Sequence, residues 1–214
     1  MRFIAIDSET TGLDPNTCQM VELAMIHADV QFGALGAVTA RVDTKHWYLS
    51  PRNGQQYQGE QYAMNMNKSI MEGVLSGNVR GHTEEGVVAE IQAWMSQLGY
   101  YREGFVPCGK NVMGFDMRFL RRLPGWGYPK IKHKHRAIDV GTLMLLPTDE
   151  CPPDLAECKK RAGIPEGVSH RAVDDAMDCV NIVKWWMAQH NRTSLPAKVD
   201  PDLNYNPVAE QDIP

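Results

Sequence analysis

The 214 residues are 43% hydrophobic and 22% charged, with a formal charge of −4 at pH 7. This composition suits a globular chain long enough to bury a real core, and the acidic balance excludes a broad basic surface wrapped around duplex DNA. No apolar run approaches the roughly 18 residues of a membrane span, and Met1-Arg2-Phe3-Ile4-Ala5-Ile6-Asp7 meets an acid too soon for a signal peptide.

In chain order, residues 2–7 read as a buried apolar strand that runs into Asp7-Ser8-Glu9-Thr10-Thr11-Gly12. Positions i and i+2 of an extended chain share a face, so Asp7 and Glu9 should point the same way. Two anions held that close repel each other unless a cation lies between them, and a hard, oxygen-seeking ion such as Mg²⁺ or Mn²⁺ suits that role. Residues 19–30 and 36–49 read as two further strands. The Gly/Asp/Pro/Asn connection at 12–17 suits a hairpin, which makes the opening sheet antiparallel. Residues 51–63, rich in Gln, Gly, Asn and Tyr, read as a polar loop over the sheet, either a substrate contact or a surface insertion.

Met64, Ile70, Met71, Val74 and Leu75 fit one helix, and Val87, Val88, Ile91, Trp94, Met95 and Leu98 fit a second, starting at Thr83. Phe105–Gly109 reads as a buried strand, followed by a helix carrying Phe115, Phe119, Leu120 and Leu123. Residues 137–140 make another short strand, and helices are expected near 153–162 and 171–190. Strands alternating with helices after an antiparallel start predict a mixed α/β sheet with helices on both faces. The four prolines after Ser194 predict an irregular tail. Five cysteines (Cys18, Cys108, Cys151, Cys158, Cys179) form no CxxC pair, which points to reduced thiols in a cytoplasmic protein.

Two later segments carry further acids. Asn111-Val112-Met113-Gly114-Phe115-Asp116 leads from a buried strand into an apolar helix, with Asp116 at the edge of its buried stripe. At about 100° per residue, Ala172, Ala176, Cys179, Val180 and Val183 form one stripe of the last helix. Asp174 then lies nearly opposite that stripe, and Asp175 lies on its flank, where it can reach inward. Asp178 is placed on the solvated face. His170 can join Asp175 only from a loop before the helix, which Gly167-Val168-Ser169 permits.

Taken together, Asp7-x-Glu9, Asn111-x-x-x-Phe115-Asp116 and His170-x-x-x-x-Asp175 resemble the three motifs of the DEDDh exonuclease family, over about residues 2–191. The family includes the proofreading epsilon subunit of bacterial DNA polymerase III, ribonuclease T and oligoribonuclease. The resemblance implies a ribonuclease H-like domain over 1–193, with 194–214 as a tail. It also implies 3′→5′ hydrolysis of a single strand, releasing nucleoside 5′-monophosphates.

Two divalent cations, Mg²⁺ or Mn²⁺, are implied, held by Asp7, Glu9, Asp116 and Asp175, with His170 as the base that takes a proton from the attacking water. The amides around Thr10-Thr11-Gly12 are expected to hold the 3′ end, with Asn111 and Phe115 as further substrate contacts. The Phe115-Asp116 pair looks like the proofreading branch, whereas Cys108-Gly109-Lys110-Asn111 and Arg118-Phe119-Leu120 look partly like oligoribonuclease; DNA is slightly favoured over RNA. Asp139 reads as a structural acid or an outer-shell one. Lys130, Lys132, His133, Lys134, His135 and Arg136 read as a solvated loop or a phosphate-backbone contact. A homodimer or a polymerase partner is compatible with the resemblance. So is a nucleic-acid-binding or polymerase-associated module that merely keeps the fold.

Overall fold

The computed structural model describes residues 1–33, 38–100, 102–127, 131–165 and 171–190. Three long strands open the chain: β1 (Arg2–Thr10), β2 (Met20–Phe32) and β3 (Val38–Leu49), paired antiparallel as the hairpin connection predicted. Three short strands, β4 (Gly81–His82), β5 (Pro107–Gly109) and β6 (Ile138–Asp139), add in parallel. The sheet order among the described residues is β4-β3-β2-β1-β5-β6, which puts β1 inside the sheet and flanked on both sides.

Alternation along β1 sends its side chains into two cores. Ile4 and Ile6 pack with α3 (Glu84–Gln97) and α4 (Asp116–Leu120), through Val87, Ile91, Met117 and Leu120. Phe3 and Ala5 pack on the other face against α7 (Ala172–His190). There Ala172, Ala176, Cys179, Val180 and Val183 are all buried, the stripe expected from the sequence. α5 (Val140–Leu143) and α6 (Leu155–Arg161) pack against α7. Thr83 caps α3, its hydroxyl oxygen accepting from the Gly86 amide at 3.1 Å.

Several expected elements change. The single helix over Met64–Leu75 is two, α1 (Gln61–Met66) and α2 (Lys68–Leu75), broken at Asn67. The buried Asn67 side chain donates to the Thr10 carbonyl at 3.0 Å, a bond across the fold that local periodicity does not encode. The polar stretch 51–63 is a loop only as far as Glu60, since Gln61 already begins α1. Asp178 is not on a solvated face: it is half-buried and pairs with the buried Lys159 of α6 at 2.5 Å. The five cysteines are free thiols. No described helix is long and apolar enough to cross a membrane. The tail expected at 194–214 lies outside the described residues.

Asp178→Ala would take one counter-charge away from the buried Lys159 ammonium and should destabilise the protein by roughly 3 kcal/mol in urea titration. Asp174→Ala, at an exposed first-turn position, should cost under about 1 kcal/mol. Equal losses would show that the α6–α7 ion pair contributes nothing.

Candidate active site

The site gathers at the C-terminal end of β1. Asp7 and Glu9 continue the row begun by Phe3 and Ala5, so both project toward α7. In the β1–β2 register Asp7 stands opposite Ala24, and Glu9 stands opposite Glu22. Asp175 enters from the first turn of α7, its amide donating to the Arg171 carbonyl at 3.1 Å. One carboxylate oxygen from each of Asp7, Glu9 and Asp175 falls within 4.8 Å of the other two.

Asp116 arrives from the opposite layer. It is the first residue of α4, it is 3% exposed, and it accepts a hydrogen bond from the Ser8 hydroxyl at 2.6 Å. Ser8 points away from Asp7 and Glu9 by strand alternation, so it meets α4 on the face that those acids leave. Asp116 is not one of the three acids in the tight group, but it is the charge that bears most strongly on Asp7.

Crowding shows in the acidities. Burial raises Asp7 well above the usual carboxylate range, and the charges of Asp116, Asp175, Glu9 and Glu22 add to the effect. Burial pushes Asp116 up to about 7; the Ser8 hydroxyl and backbone N–H groups oppose the rise, and the Glu9 charge supports it. A cation among these oxygens would reverse the effect, and an all-oxygen set of carboxylates is the donor chemistry that Mg²⁺ and Mn²⁺ prefer. The residues therefore fit a hard divalent ion.

The turn after β1 is clamped. Thr10 and Thr11 are buried; the Thr10 hydroxyl donates to the Gly12 carbonyl, and the Thr11 hydroxyl donates to the Gln58 carbonyl at 2.7 Å. The Thr11 amide donates to the Gln19 carbonyl, the Leu13 amide donates to Glu60, and the Glu60 amide donates back to the Thr11 carbonyl. A Cβ at Gly59 would lie 2.1 Å from the Thr11 carbonyl oxygen, so only glycine lets the 51–60 loop seat here. Of the amides expected around the substrate end, that of Thr11 is thus used within the chain.

Asn111 is exposed and takes a left-handed φ of 52°, its carbonyl receiving the Gly114 and Phe115 amides. Its own amide donates to Asp139 at 2.7 Å, and Asp139 also caps α5 through the Thr142 amide. Asp139 therefore braces the Asn111 turn. Phe115 is half-buried, 5.3 Å from the Phe119 ring. In the cationic run, Lys134, His135 and Arg136 are exposed, and His133, Lys132 and His135 line a cleft of about 340 Å³ with Arg121 and Trp126. His170 and Lys130 lie outside the described residues.

Periodicity passed over Ser8, Glu22, Asn67 and Glu60. Glu22 did leave a signal, as a lone carboxylate inside the apolar run Met20-Val21-Glu22-Leu23-Ala24-Met25-Ile26. The other three act through partners remote in sequence.

A family model described as an exonuclease, of the RNase T type, matches residues 4–183. The chain belongs to this exonuclease family. It is similar to the oligoribonuclease of Halorhodospira halophila, at 26% identity over 91% of this chain and 96% of that protein. It is also similar to the oligoribonuclease of Sodalis glossinidius, at 29% identity over 83% and 88%. Among solved structures it resembles E. coli Exonuclease I in complex with a dT13 oligonucleotide, with a TM-score of 0.62 at 18% identity. Exonuclease I from Methylocaldum szegediense gives 0.60 at 15%. The matched parts cover 86% and 89% of this chain but only 40% and 41% of those chains. The fold is thus ribonuclease H-like, and this member of the family is a metal-dependent 3′→5′ exonuclease.

The raised acids give a pH test. A carboxyl whose pKa is raised on folding stabilises the protein fully below its unfolded value of about 3.9, and that stabilisation is lost as pH rises through its folded value. With Asp116 at about 7, the melting temperature of EDTA-treated protein should fall between pH 5 and pH 8. Mg²⁺ or Mn²⁺ should restore it at pH 8 and do little at pH 5. Asp116→Asn should flatten the slope; a flat wild-type profile without metal would refute the raised pKa of the buried carboxyls.

Proposed function

We propose that the chain removes nucleoside 5′-monophosphates one at a time from the 3′ end of a single strand, and that short RNA is its main substrate. The observation that carries the chemistry is the convergence of Asp7, Glu9 and Asp175 to within 4.8 Å, with Asp116 beside Asp7. The leaning to RNA rests on the oligoribonuclease relatives, which span nearly the same length as this chain. Sequence features alone leaned the other way. The second reading, single-stranded DNA, is favoured by the half-buried Phe115 directly before Asp116, the pair that resembles the proofreading branch; its ring can stack on a terminal base of either strand type.

In this reading Asp7, Glu9 and Asp175 hold one divalent ion, and Asp7 with Asp116 holds a second. Two such ions supply charge neutralisation at the phosphate and support for the oxygen that leaves. Ser8 keeps Asp116 oriented. The oxygen of a water bonds to phosphorus while the bond from phosphorus to the neighbouring 3′ oxygen breaks. His170 takes the proton that water gives up, and the 3′ oxygen departs to be protonated as a hydroxyl. The clamped turn Thr10-Thr11-Gly12 and the Asn111 turn flank the terminal nucleotide. The exonuclease domain spans residues 1–193, cytoplasmic in this reading, and the cationic residues around Arg121 receive the phosphate backbone upstream.

Matched 5′-labelled RNA and DNA oligomers, with a dinucleotide of each, test the substrate in Mg²⁺ and Mn²⁺. Faster turnover of RNA dimers and pentamers is expected; a preference for long DNA would favour the second reading. Asp7→Asn should abolish hydrolysis, lowering kcat by at least about 10³-fold, as the loss of a shared ligand requires. Asp175→Ala should cost far more than Asp174→Ala, and the reverse ranking would refute the placement of α7. His170→Ala should reduce kcat about 10²–10⁴-fold and remove the limb of the pH–rate profile near neutrality. An unchanged profile would remove His170 from the base role.

A further inference from the structure

Glu22 is 0% exposed and lies in the middle of the sheet, where a carboxyl group is costly to bury unless it is hydrogen-bonded. It stands directly opposite Glu9 on the face that meets α7. Its two oxygens are used separately. Oε1 lies 2.6 Å from Nε2 of His46 on β3, and Oε2 accepts the amide of Ala172, the first residue of α7, at 3.3 Å. His46 packs edge-on against Tyr48 at 4.6 Å, and the Tyr48 hydroxyl accepts from the Arg171 guanidinium at 3.1 Å. Residues 171 and 172 are thus both fastened to the sheet, Ala172 by Glu22 and Arg171 by Tyr48. The Arg171 carbonyl in turn receives the Asp175 amide.

We propose that Glu22 is a positioning residue for catalysis: by gripping the first turn of α7 it sets the rotation at which Asp175 enters the carboxylate group. This rests on the reading above, in which Asp175 is a metal ligand.

Packing alone fixes that rotation poorly at this end of the helix. The fully buried residues at this end of the helix are Ala172 and Ala176, which share a core cluster with Ala5 and Ala24 of the sheet, while Val173 and Met177 are only partly buried. Alanine methyl groups set spacing but interlock little. A side chain tip lies about 5–6 Å from the helix axis, so a turn of about 20° moves it roughly 2 Å. Coordination tolerates only about 0.2 Å. A hydrogen bond donated by the leading amide to a buried carboxylate, favoured by the helix dipole, supplies the missing constraint.

The test compares Glu22→Ala, Glu22→Gln and Tyr48→Phe, read by Mn²⁺ calorimetry and by kcat and KM on a short oligonucleotide well below each variant's melting temperature. Glu22→Ala should weaken Mn²⁺ binding about 10-fold and lower kcat 10–100-fold, the range seen when residues supporting metal ligands are lost, with KM within about 3-fold. Glu22→Gln keeps a carbonyl that can accept the Ala172 amide, and should hold Mn²⁺ affinity within about 3-fold of wild type. Tyr48→Phe should lower kcat about 3–10-fold.

Unchanged Mn²⁺ affinity and kcat in Glu22→Ala, with only a lower melting temperature, would reduce Glu22 to a fold residue and overturn the proposal. Glu22→Gln as defective as Glu22→Ala would overturn it as well, since charge would then matter more than grip. Should Glu22→Ala fail to fold, Glu22→Asp decides: it keeps the carboxyl but shortens its reach to the Ala172 amide, and an unchanged kcat and Mn²⁺ affinity refutes the positioning role. If wild-type protein binds Mn²⁺ but hydrolyses no strand, the functional reading falls, and calorimetry on the same variants still judges Glu22.

Discussion

Like charges held at one end of a single strand are the constraint on which the rest of this structure turns. With oxygens within 4.8 Å of one another and an effective dielectric of about 20, each ionised carboxylate pair costs at least ~3 kcal/mol. Three pairs approach the entire stability of an ordinary domain. Such a group persists only where the backbone is over-determined around it, and β1 meets that need. It is paired along its length with β2, joined on its other edge by β5, and covered on both faces. Burial raises the proton affinity of Asp7 and Asp116, and the same repulsion adds to it, most strongly at Asp7. A divalent ion would relieve it without protonation, so the strain that weakens the bare fold is what makes the site receptive to a metal.

Alternation along β1 converts one strand into two supports. Asp7 and Glu9 face α7 and meet Asp175, whereas Ser8, between them, faces the opposite layer and holds Asp116 at the start of α4. Acids from distant parts of the chain can converge because each helix begins at the same end of the sheet as the end of β1. A helix that begins there offers its first turn, and a first-turn acid gains from the helix dipole. Asp116 and Asp175 are both first-turn residues.

What could be read from the chain alone depended on the range of the interaction involved. The three long strands, the α7 stripe and the outward placement of Asp174 follow from periodicity, and the structure has them. β4 and β6, two residues each, are too short for any period to register. The break at Asn67 is set by a bond to Thr10, 57 positions away, so Met64–Leu75 read as one helix. Asp178 read as solvated because its partner Lys159 belongs to another helix. The acids themselves were legible because their chemistry demands spacing within each motif, as in Asp7-x-Glu9. Glu22 has no such spacing, and only its isolation among apolar neighbours sets it apart.

The polar groups that the periodic pattern hides share one location. Glu22 grips α7, Asn67 and Glu60 grip the turn after β1, Asp139 grips the turn at Asn111, and Ser8 grips Asp116. Each is a side chain bonded to a group far away in sequence, and each acts within a few residues of a carboxylate or a turn at the site. The two apolar cores fix which layers meet, and apolar side chains of about the right size suffice for folding. Ligand placement requires tighter control than that. Hydrogen bonds have directional limits that methyl contacts lack, so the burial of these polar groups, costly for stability, is the means by which the sheet end becomes stiff enough to be a site.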